Sequence, residues 1–468
     1  MNKLTSHLSL IALVLATFGT AGFVRAADKP NILVILSDDQ GYMDTGFQGC
    51  KDIPTPNLDR LARSGLRCTS GYVSHPFCSP TRAGLMTGRY QQRFGHEHNP
   101  FYDPNDHREG LPTAEKLLPE FLREAGYVTG WIGKWHLGAA PEFRPLKRGF
   151  AETFGFLGGG HHYQNCEVDP ADEYSVAIER NGQAVEVTEH LTVAFGREAA
   201  AFIQRHKMES WFLYLAFNAP HTPHEPTPER LARFASITNK TRQAYAAQVS
   251  LLDDAVGEAL AALRGSGQEQ RTLVFFFSDN GGPVGDGERR GSGALNTPLR
   301  AGKGSVYEGG MRVPFVVSWP GKLPAGRDYT LPVSSLDVFA TALALAGVPS
   351  PTNRPPDGVN MVPFLTGANT NAPHDRLFWR MGGGAKTAAR VHDLKLVRLR
   401  GHADELYILA ADIGETNDLA GARAKDVQAL GAVVDDWNKT LLPPAFSGLS
   451  GRAAASGKMP KQEKLVEP

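Results

Sequence analysis

No net charge survives in this chain, because 49 lysines and arginines are matched by 49 aspartates and glutamates. That balance removes the electrostatic case for nucleic acid or an anionic membrane surface as a partner, since both are held through basic patches. Cysteine is scarce as well: Cys50, Cys68, Cys78 and Cys166 are the only four in 468 residues, too few for a disulfide-framework scaffold. Spacing permits a Cys50–Cys68 pair without establishing it. Beyond residue 26 there is no second apolar run of ~18 residues, the length a membrane-spanning helix requires, so no stable membrane insertion is expected. Internal repeats and heptads are also missing, which sets aside solenoids and coiled coils.

What is present begins with an export-like start. Lys3 supplies a short positive region, and Leu8–Phe18 is apolar but too short to cross a bilayer comfortably. Val24-Arg25-Ala26 places small residues at the −3 and −1 positions of a cleavage site before Ala27. Residues 1–26 therefore read as a signal peptide, with a membrane anchor as the alternative, and the mature protein as periplasmic or secreted.

From Lys29 onward short apolar runs alternate with helical segments, the pattern of an α/β protein. Ile32–Leu36 is continuously apolar, as in a strand buried on both faces. Thr55-Pro56 opens a helix through Leu58, Leu61 and Ala62 that Gly65 ends, and Leu66–Val73 reads as the next strand. Thr113 caps a helix with apolar positions Ala114, Leu117, Leu118, Phe121, Leu122 and Ala125, stopped by Gly126 and followed by a strand over Tyr127–Ile132. Helices over Leu191–Gln204, Thr241–Leu263 and Leu336–Leu345 alternate with strands Trp211–Phe217, Leu273–Phe277 and Val313–Ser318. Pro349–Pro356 reads as a linker. After it, Leu377–Leu441 holds alternating strands such as Lys395–Leu399 and a last helix over Ala424–Asn438. The expected fold is a large, mostly parallel central sheet flanked by helices over about 28–350. A smaller antiparallel sheet with one helix is expected over 365–442, and a poorly ordered tail over 443–468.

The chemistry gathers at strand ends. Asp38-Asp39 directly follow the first strand, and Ser278-Asp279-Asn280-Gly281 directly follow Phe275-Phe276-Phe277. Strand-end aspartates and asparagines taken singly are ordinary turn formers. Two such pairs at the carboxyl ends of parallel strands share one rim, where α/β proteins bind ligands. Three carboxylates and an amide oxygen form a hard donor set suited to Ca²⁺ or Mg²⁺. Lys134 and His136 leave a third strand at the same rim, two residues apart. In Cys78-Ser79-Pro80-Thr81-Arg82, Pro80 suits the first turn of a helix read over Thr81–Gly88. That reading leaves Cys78 just outside a helix N-terminus that favours anions, with Arg82 one turn away.

This stretch, with the tail Ala83-Gly84-Leu85-Met86-Thr87-Gly88-Arg89, resembles the type I sulfatase signature Cys-x-Pro-Ser/Thr-Arg, whose cysteine is oxidised to formylglycine. Gly126-Tyr127-Val128-Thr129 through Gly133-Lys134-Trp135-His136 resembles the family's second signature. Asn218-Ala219-Pro220-His221, Arg300-Ala301-Gly302-Lys303-Gly304 and Glu308-Gly309-Gly310-Met311-Arg312-Val313-Pro314 resemble further elements of it. The resemblance extends from about Pro30 to Glu405-Leu406-Tyr407 and Glu415-Thr416-Asn417-Asp418-Leu419. Phe77, where small residues are common, is a minor departure.

The resemblance implies an alkaline-phosphatase-like fold and hydrolysis of sulfate esters. It implies that Asp38, Asp39, Asp279 and Asn280 hold a calcium ion together with the modified Cys78. One hydroxyl of hydrated formylglycine attacks sulfur, while calcium, Lys134, Lys303 and Arg82 offset the developing charge. His221, beside Lys303, protonates the leaving oxygen, and His136 takes a proton from the second hydroxyl to expel sulfate. A formylglycine-generating maturation enzyme is the implied partner.

His96-Glu97-His98 and Gly158-Gly159-Gly160-His161-His162-Tyr163 are polar and histidine-rich, so His98, His161 and His162 are expected to line a pocket for a sulfated polysaccharide or oligosaccharide. Phosphonate and phosphodiester hydrolases of the same superfamily share parts of the cysteine signature, and the residues alone leave that alternative open. A non-catalytic carbohydrate-binding relative has no use for the acid–base set Lys134, His136, His221 and Lys303.

Overall fold

The computed structural model describes residues 29–164, 168–169, 172–285 and 291–448. The expected signal peptide, Cys166 and residues 449–468 lie outside the described residues.

Five strands run parallel at the centre, in the spatial order Thr272–Ser278, Asn31–Ser37, Trp211–Ala216, Val128–Lys134 and Glu152–Phe156. The first three are near-continuous apolar runs because both faces are covered, and alternate residues supply the two layers. Leu33, Ile35, Leu213, Leu215 and Phe276 pack against the helices Leu191–Arg205 and Lys240–Gly265. Ile32, Val34, Tyr214, Phe275 and Phe277 pack against the helices Cys78–Thr87, Leu118–Glu124 and Asp337–Ala346. Antiparallel strands extend both edges: Phe315–Ser318 beside Thr272–Ser278, and the small pair Glu179–Arg180 and Gln183–Ala184 beyond Glu152–Phe156. With Leu66–Cys68 and Arg327–Tyr329 the sheet reaches ten strands.

A separate four-stranded antiparallel sheet, Arg376–Met381, Lys386–Val391, Leu394–Leu399 and Glu405–Ile408, follows in sequence. The helix Ala424–Asn438 lays Leu430, Val434 and Trp437 on it, with Trp437 stacked on Phe378 at 4.8 Å. Buried ion pairs tie this sheet to the main one. Lys395 Nζ lies 2.9 Å from Glu308 and 2.7 Å from Glu415, and Arg390 donates to the Tyr72 hydroxyl at 2.7 Å.

Several local expectations need correction. Leu66–Val73 is two strands, Leu66–Cys68 in the large sheet and Gly71–Tyr72 paired with Val333–Ser334. The break is held by Arg312, whose guanidinium donates to Thr69 O at 2.8 Å and Ser70 Oγ at 3.2 Å. The helix expected from Thr113 starts only at Leu118, with Pro119 in its first turn. The preceding segment is a turn, in which buried Glu115 pairs with Arg89 at 2.6 Å and Arg354 at 2.9 Å. Residues 443–448 are packed rather than loose: Ala445 N donates to Gly95 O at 2.8 Å, and Phe446 meets His96 edge-on at 5.1 Å. Cys50, Cys68 and Cys78 are all free thiols, so Cys50 and Cys68 do not pair.

Candidate active site

The carboxyl ends of the parallel strands deliver their following residues to one rim. Asp38 and Asp39 follow Ser37, Asp279 and Asn280 follow Ser278, Lys134 ends its own strand, and Asn218–His221 lie just past Ala216. Asp39 and His136 sit at φ +64° and +58°, so the chain turns sharply as it leaves the sheet. Gly133, at φ +114°, permits the close approach: a Cβ there would lie 1.8 Å from Ala216 O.

Cys78 is the first residue of its helix rather than a neighbour of it, with Phe77 as the cap. Its sulfur lies 3.5 Å from Asp38 Oδ1. Arg82, one turn on, sends Nη2 to Asp279 Oδ2 at 2.7 Å and Nη1 to Lys134 O at 3.0 Å, with Asp38 Oδ2 at 3.5 Å. Lys134 Nζ donates to Asp38 Oδ2 at 2.5 Å, and Lys303 Nζ to Asp39 at 2.9 Å. Asp38, Asp39 and Asp279 are thus each matched by a cation, all of them buried except the partly buried Lys303.

His221 directs Nε2 toward Asp39 Oδ2 at 3.5 Å, while Nδ1 lies 2.6 Å from the Thr222 carbonyl. A carbonyl only accepts, so the neutral ring carries its proton on Nδ1 and Nε2 is open to take one. His136 is buried, and neither ring nitrogen has a hydrogen-bond partner among the described residues.

Charge and burial set the protonation states. Burial raises Asp38 and Asp39, but Lys134, His221 and Arg82 around the first and Lys303 with His221 around the second hold both carboxyls below their usual range. Burial, with Asp279, pushes the Cys78 thiol far up, so it stays protonated. Burial, with Lys134, Arg82 and Lys303, drives His136 well below its ordinary value and keeps it neutral. Burial also lowers His221, against the pull of Asp39 and Asp38.

One ligand atom each from Asp38, Asp39, Cys78 and His221 lies within 4.8 Å of all the others. Asn280 adds a further clue: its Nδ2 donates to Asp39 Oδ1 at 2.7 Å, while its own Oδ1 is buried with no partner. An orphaned amide oxygen beside carboxylates fits a hard cation. The Cys78 thiol does not fit one, because a protonated soft sulfur is a poor partner for calcium. An oxygen at that Cβ would complete the set. Reading the sequence missed His221 as a member of this cluster.

Two of the histidines singled out for the substrate pocket, His161 and His162, are bonded to protein atoms. His161 is buried with its ring nitrogens 2.7 Å from His162 O and 2.8 Å from Val176 O. His162 lies 2.5 Å from Glu225 and 3.0 Å from Asp172. These two acids outweigh the opposing effect of burial and raise its pKa. His98 is half-buried, which lowers its pKa, and Gly448 packs over it. The opening that reaches His136 is lined instead by the loop ends around Pro100, Gly160 and Tyr174. Gly160 belongs to the glycine–histidine stretch singled out in the sequence, whereas no motif marks Pro100 or Tyr174.

A family model named Sulfatase matches residues 30–348, and one named N-sulphoglucosamine sulphohydrolase, C-terminal, matches residues 302–430. N-acetylgalactosamine-6-sulfatase of Canis lupus familiaris is 37% identical over 381 residues, which is 76% of this chain and 69% of that one. Arylsulfatase A of Bos taurus is 35% identical over 389 residues, or 79% and 74% of the two chains. The crystal structure of Ps i-CgsB in complex with k-i-k-neocarrahexaose matches with a TM-score of 0.85 and 37% identity, covering 94% of this chain and all of the other.

Proposed function

This chain belongs to the sulfatase family of sulfuric ester hydrolases, and we propose that its substrate is the sulfate ester of a carbohydrate, hydrolysed at the site centred on Cys78. The observation that carries this reading is the placement of the Cys78 sulfur 3.5 Å from Asp38 inside a buried shell of Lys134, Arg82 and Lys303. Two relatives with 37% identity carry sugar names, N-acetylgalactosamine 6-sulfate in one and a neocarrahexaose complex in the other.

In this reading residues 1–26 direct export, residues 28–350 form the catalytic part and residues 365–442 a smaller subdomain. A maturation enzyme oxidises the Cys78 thiol to the aldehyde of formylglycine. Asp38, Asp39, Asp279 and Asn280 would hold a calcium ion, with His221 beside them. When bound, the ion would supply positive charge to the sulfuryl oxygens, and hydrated formylglycine the attacking oxygen.

The chain's own groups do the rest. Lys134 and Lys303, each 2.5–2.9 Å from a carboxylate, are fixed before substrate arrives and need no reorganisation to face the anionic ester. Arg82 is held by two acceptors and carries its charge on the same side. Nε2 of His221, 3.5 Å from Asp39, would take a proton there and give it to the leaving sugar oxygen. His136 is kept neutral and unpartnered, the state a proton acceptor requires.

The test pairs mass spectrometry of the peptide carrying Cys78 with sulfate release from a panel of sulfated oligosaccharides. Formylglycine at position 78 and release from at least one sugar sulfate are expected. Full activity in Cys78→Ala, or release from aryl sulfates alone, ends the reading.

A further inference from the structure

The mouth of the site differs from its floor. Pro100, Tyr102, His136, Gly160, Glu173 and Tyr174 surround it, and among the described residues that lining holds no lysine or arginine. The cations of the cluster lie deeper, paired with Asp38, Asp39 and Asp279 at the level of the sulfate. Among the described residues, whatever lies above the sulfate therefore meets phenols, a histidine, proline, glycine and one carboxylate.

Tyr174 reaches into this mouth from the surface. Its ring is partly exposed, yet its hydroxyl is buried and has no hydrogen-bond partner among the described residues. A buried phenol without a partner is costly, and such an atom in a site marks the place of a ligand atom. The ring stands edge-on to His221, centroids 6.3 Å apart, which puts it on the side where the leaving oxygen departs. Gly160 makes this placement possible, since a Cβ there would lie 2.1 Å from Tyr174 Cε1. Burial, with the adjacent Glu173, holds the phenol far above its ordinary pKa, so it remains an O–H donor. Glu173 is half-buried beside it, and no hydrogen bond to its carboxylate exists among the described residues.

We propose that Tyr174 and Glu173 read the sugar. Tyr174 donates to an oxygen of the ring bearing the scissile sulfate, and Glu173 accepts from a neighbouring hydroxyl. The site thereby takes a neutral sulfated hexose or hexosamine in preference to a sulfated uronate, whose carboxylate would face Glu173 with no lysine or arginine among the described residues of that lining to offset it. This rests on the carbohydrate reading above and specifies the sugar class within it.

The experiment measures kcat/KM of wild type, Tyr174→Phe and Glu173→Gln on N-acetylgalactosamine 6-sulfate, a 2-sulfated uronate disaccharide and 4-nitrophenyl sulfate. Melting temperatures accompany each variant. Loss of one hydrogen bond to the sugar should lower the hexosamine-to-nitrophenyl ratio about tenfold in Tyr174→Phe. Removing the carboxylate should shift the hexosamine-to-uronate ratio toward uronate by about tenfold in Glu173→Gln. A wild type that turns over no sugar sulfate overturns both readings. A wild type active on sugars, with either ratio unchanged in its variant, overturns this proposal alone, and the two variants do so independently if one fails to fold.

Discussion

Asn280 gives its amide nitrogen to Asp39 Oδ1 at 2.7 Å and leaves its own oxygen buried without a partner. The asymmetry follows from sequence order. Ser278 ends a strand one place from the strand that ends in Ser37, so Asp279-Asn280 and Asp38-Asp39 emerge side by side. The orphaned oxygen would then be the ligand atom that a cation completes. Calcium at ~100 times its Kd should therefore stabilise the folded state by about 3 kcal/mol, read as a rise in melting temperature that a chelator reverses. Asn280→Ala should weaken calcium affinity while leaving the three carboxylates in place. A wild-type melting temperature indifferent to calcium and chelator would remove the metal site.

The strand interior beneath the site should be equally intolerant. Gly133 lies between Ile132 and Lys134 in a central strand, at φ +114°, with Ala216 O where a methyl would go. The obstacle is neighbouring backbone, which cannot turn aside. Gly133→Ala should cost about 3 kcal/mol through strain and overpacking, and should displace Lys134 from Asp38. Denaturant titration of the variant checks the first effect and aryl sulfate turnover the second. A stability loss below ~1 kcal/mol would mean that the strand accommodates the change.

The parallel core was legible because its strands announce themselves. Runs such as Ile32–Leu36 and Phe275–Phe277 are apolar at every position, which only a doubly covered strand requires. The polar pairs that follow them sit at strand ends, so their convergence could be argued from topology alone. Readability failed where long-range contacts decide. An apolar stripe from Ala114 looks helical, but buried Glu115 is drawn to Arg89 and Arg354, and the helix waits for Pro119. The histidine-rich loop drew attention by composition, yet His161 and His162 spend their nitrogens on protein atoms. Tyr174, in an unremarkable loop, reaches the mouth because Gly160 leaves room for it.

A buried triad between the two sheets should make stability depend on pH. Lys395 sits between Glu308 and Glu415, all three buried, and Arg312 adds a second cation on Glu308 alone at 3.2 Å. Burial and the nearby Glu308 charge, only partly offset by Lys395, raise Glu415 to about 7. Lys395 and Arg312 overcome burial at Glu308 and hold it at about 2. A raised carboxyl binds its proton more tightly when folded, so its contribution is complete below its ordinary value near 4.5 and is lost as pH climbs through 7. Glu308 works in the opposite sense, but its contribution is lost only as pH falls from 4.5 toward 2. Between pH 5 and 8 the wild type should therefore lose stability, on the order of 3 kcal/mol, that Glu415→Gln does not lose. Equal pH slopes in the two proteins would show that Glu415 is charged throughout.

The two histidines should separate by leaving group. Nε2 of His221 faces Asp39 at 3.5 Å while Nδ1 is tied to Thr222 O, so the ring can gain and give a proton only on the side of the leaving oxygen. Nitrophenolate departs without help, whereas a sugar alkoxide must be protonated as its bond to sulfur breaks. His221→Ala should lower kcat/KM on a sugar sulfate by ~10²–10⁴ and on nitrophenyl sulfate far less, steepening the dependence on leaving-group pKa. His136 is neutral, and among the described residues no hydrogen bond fixes either ring nitrogen. A group that acts after the leaving group has gone lowers kcat while sparing kcat/KM, and it does so most visibly on good leaving groups. His136→Ala should show that pattern with nitrophenyl sulfate. If the leaving-group dependence steepens in His136→Ala and not in His221→Ala, the acid and the base must exchange places.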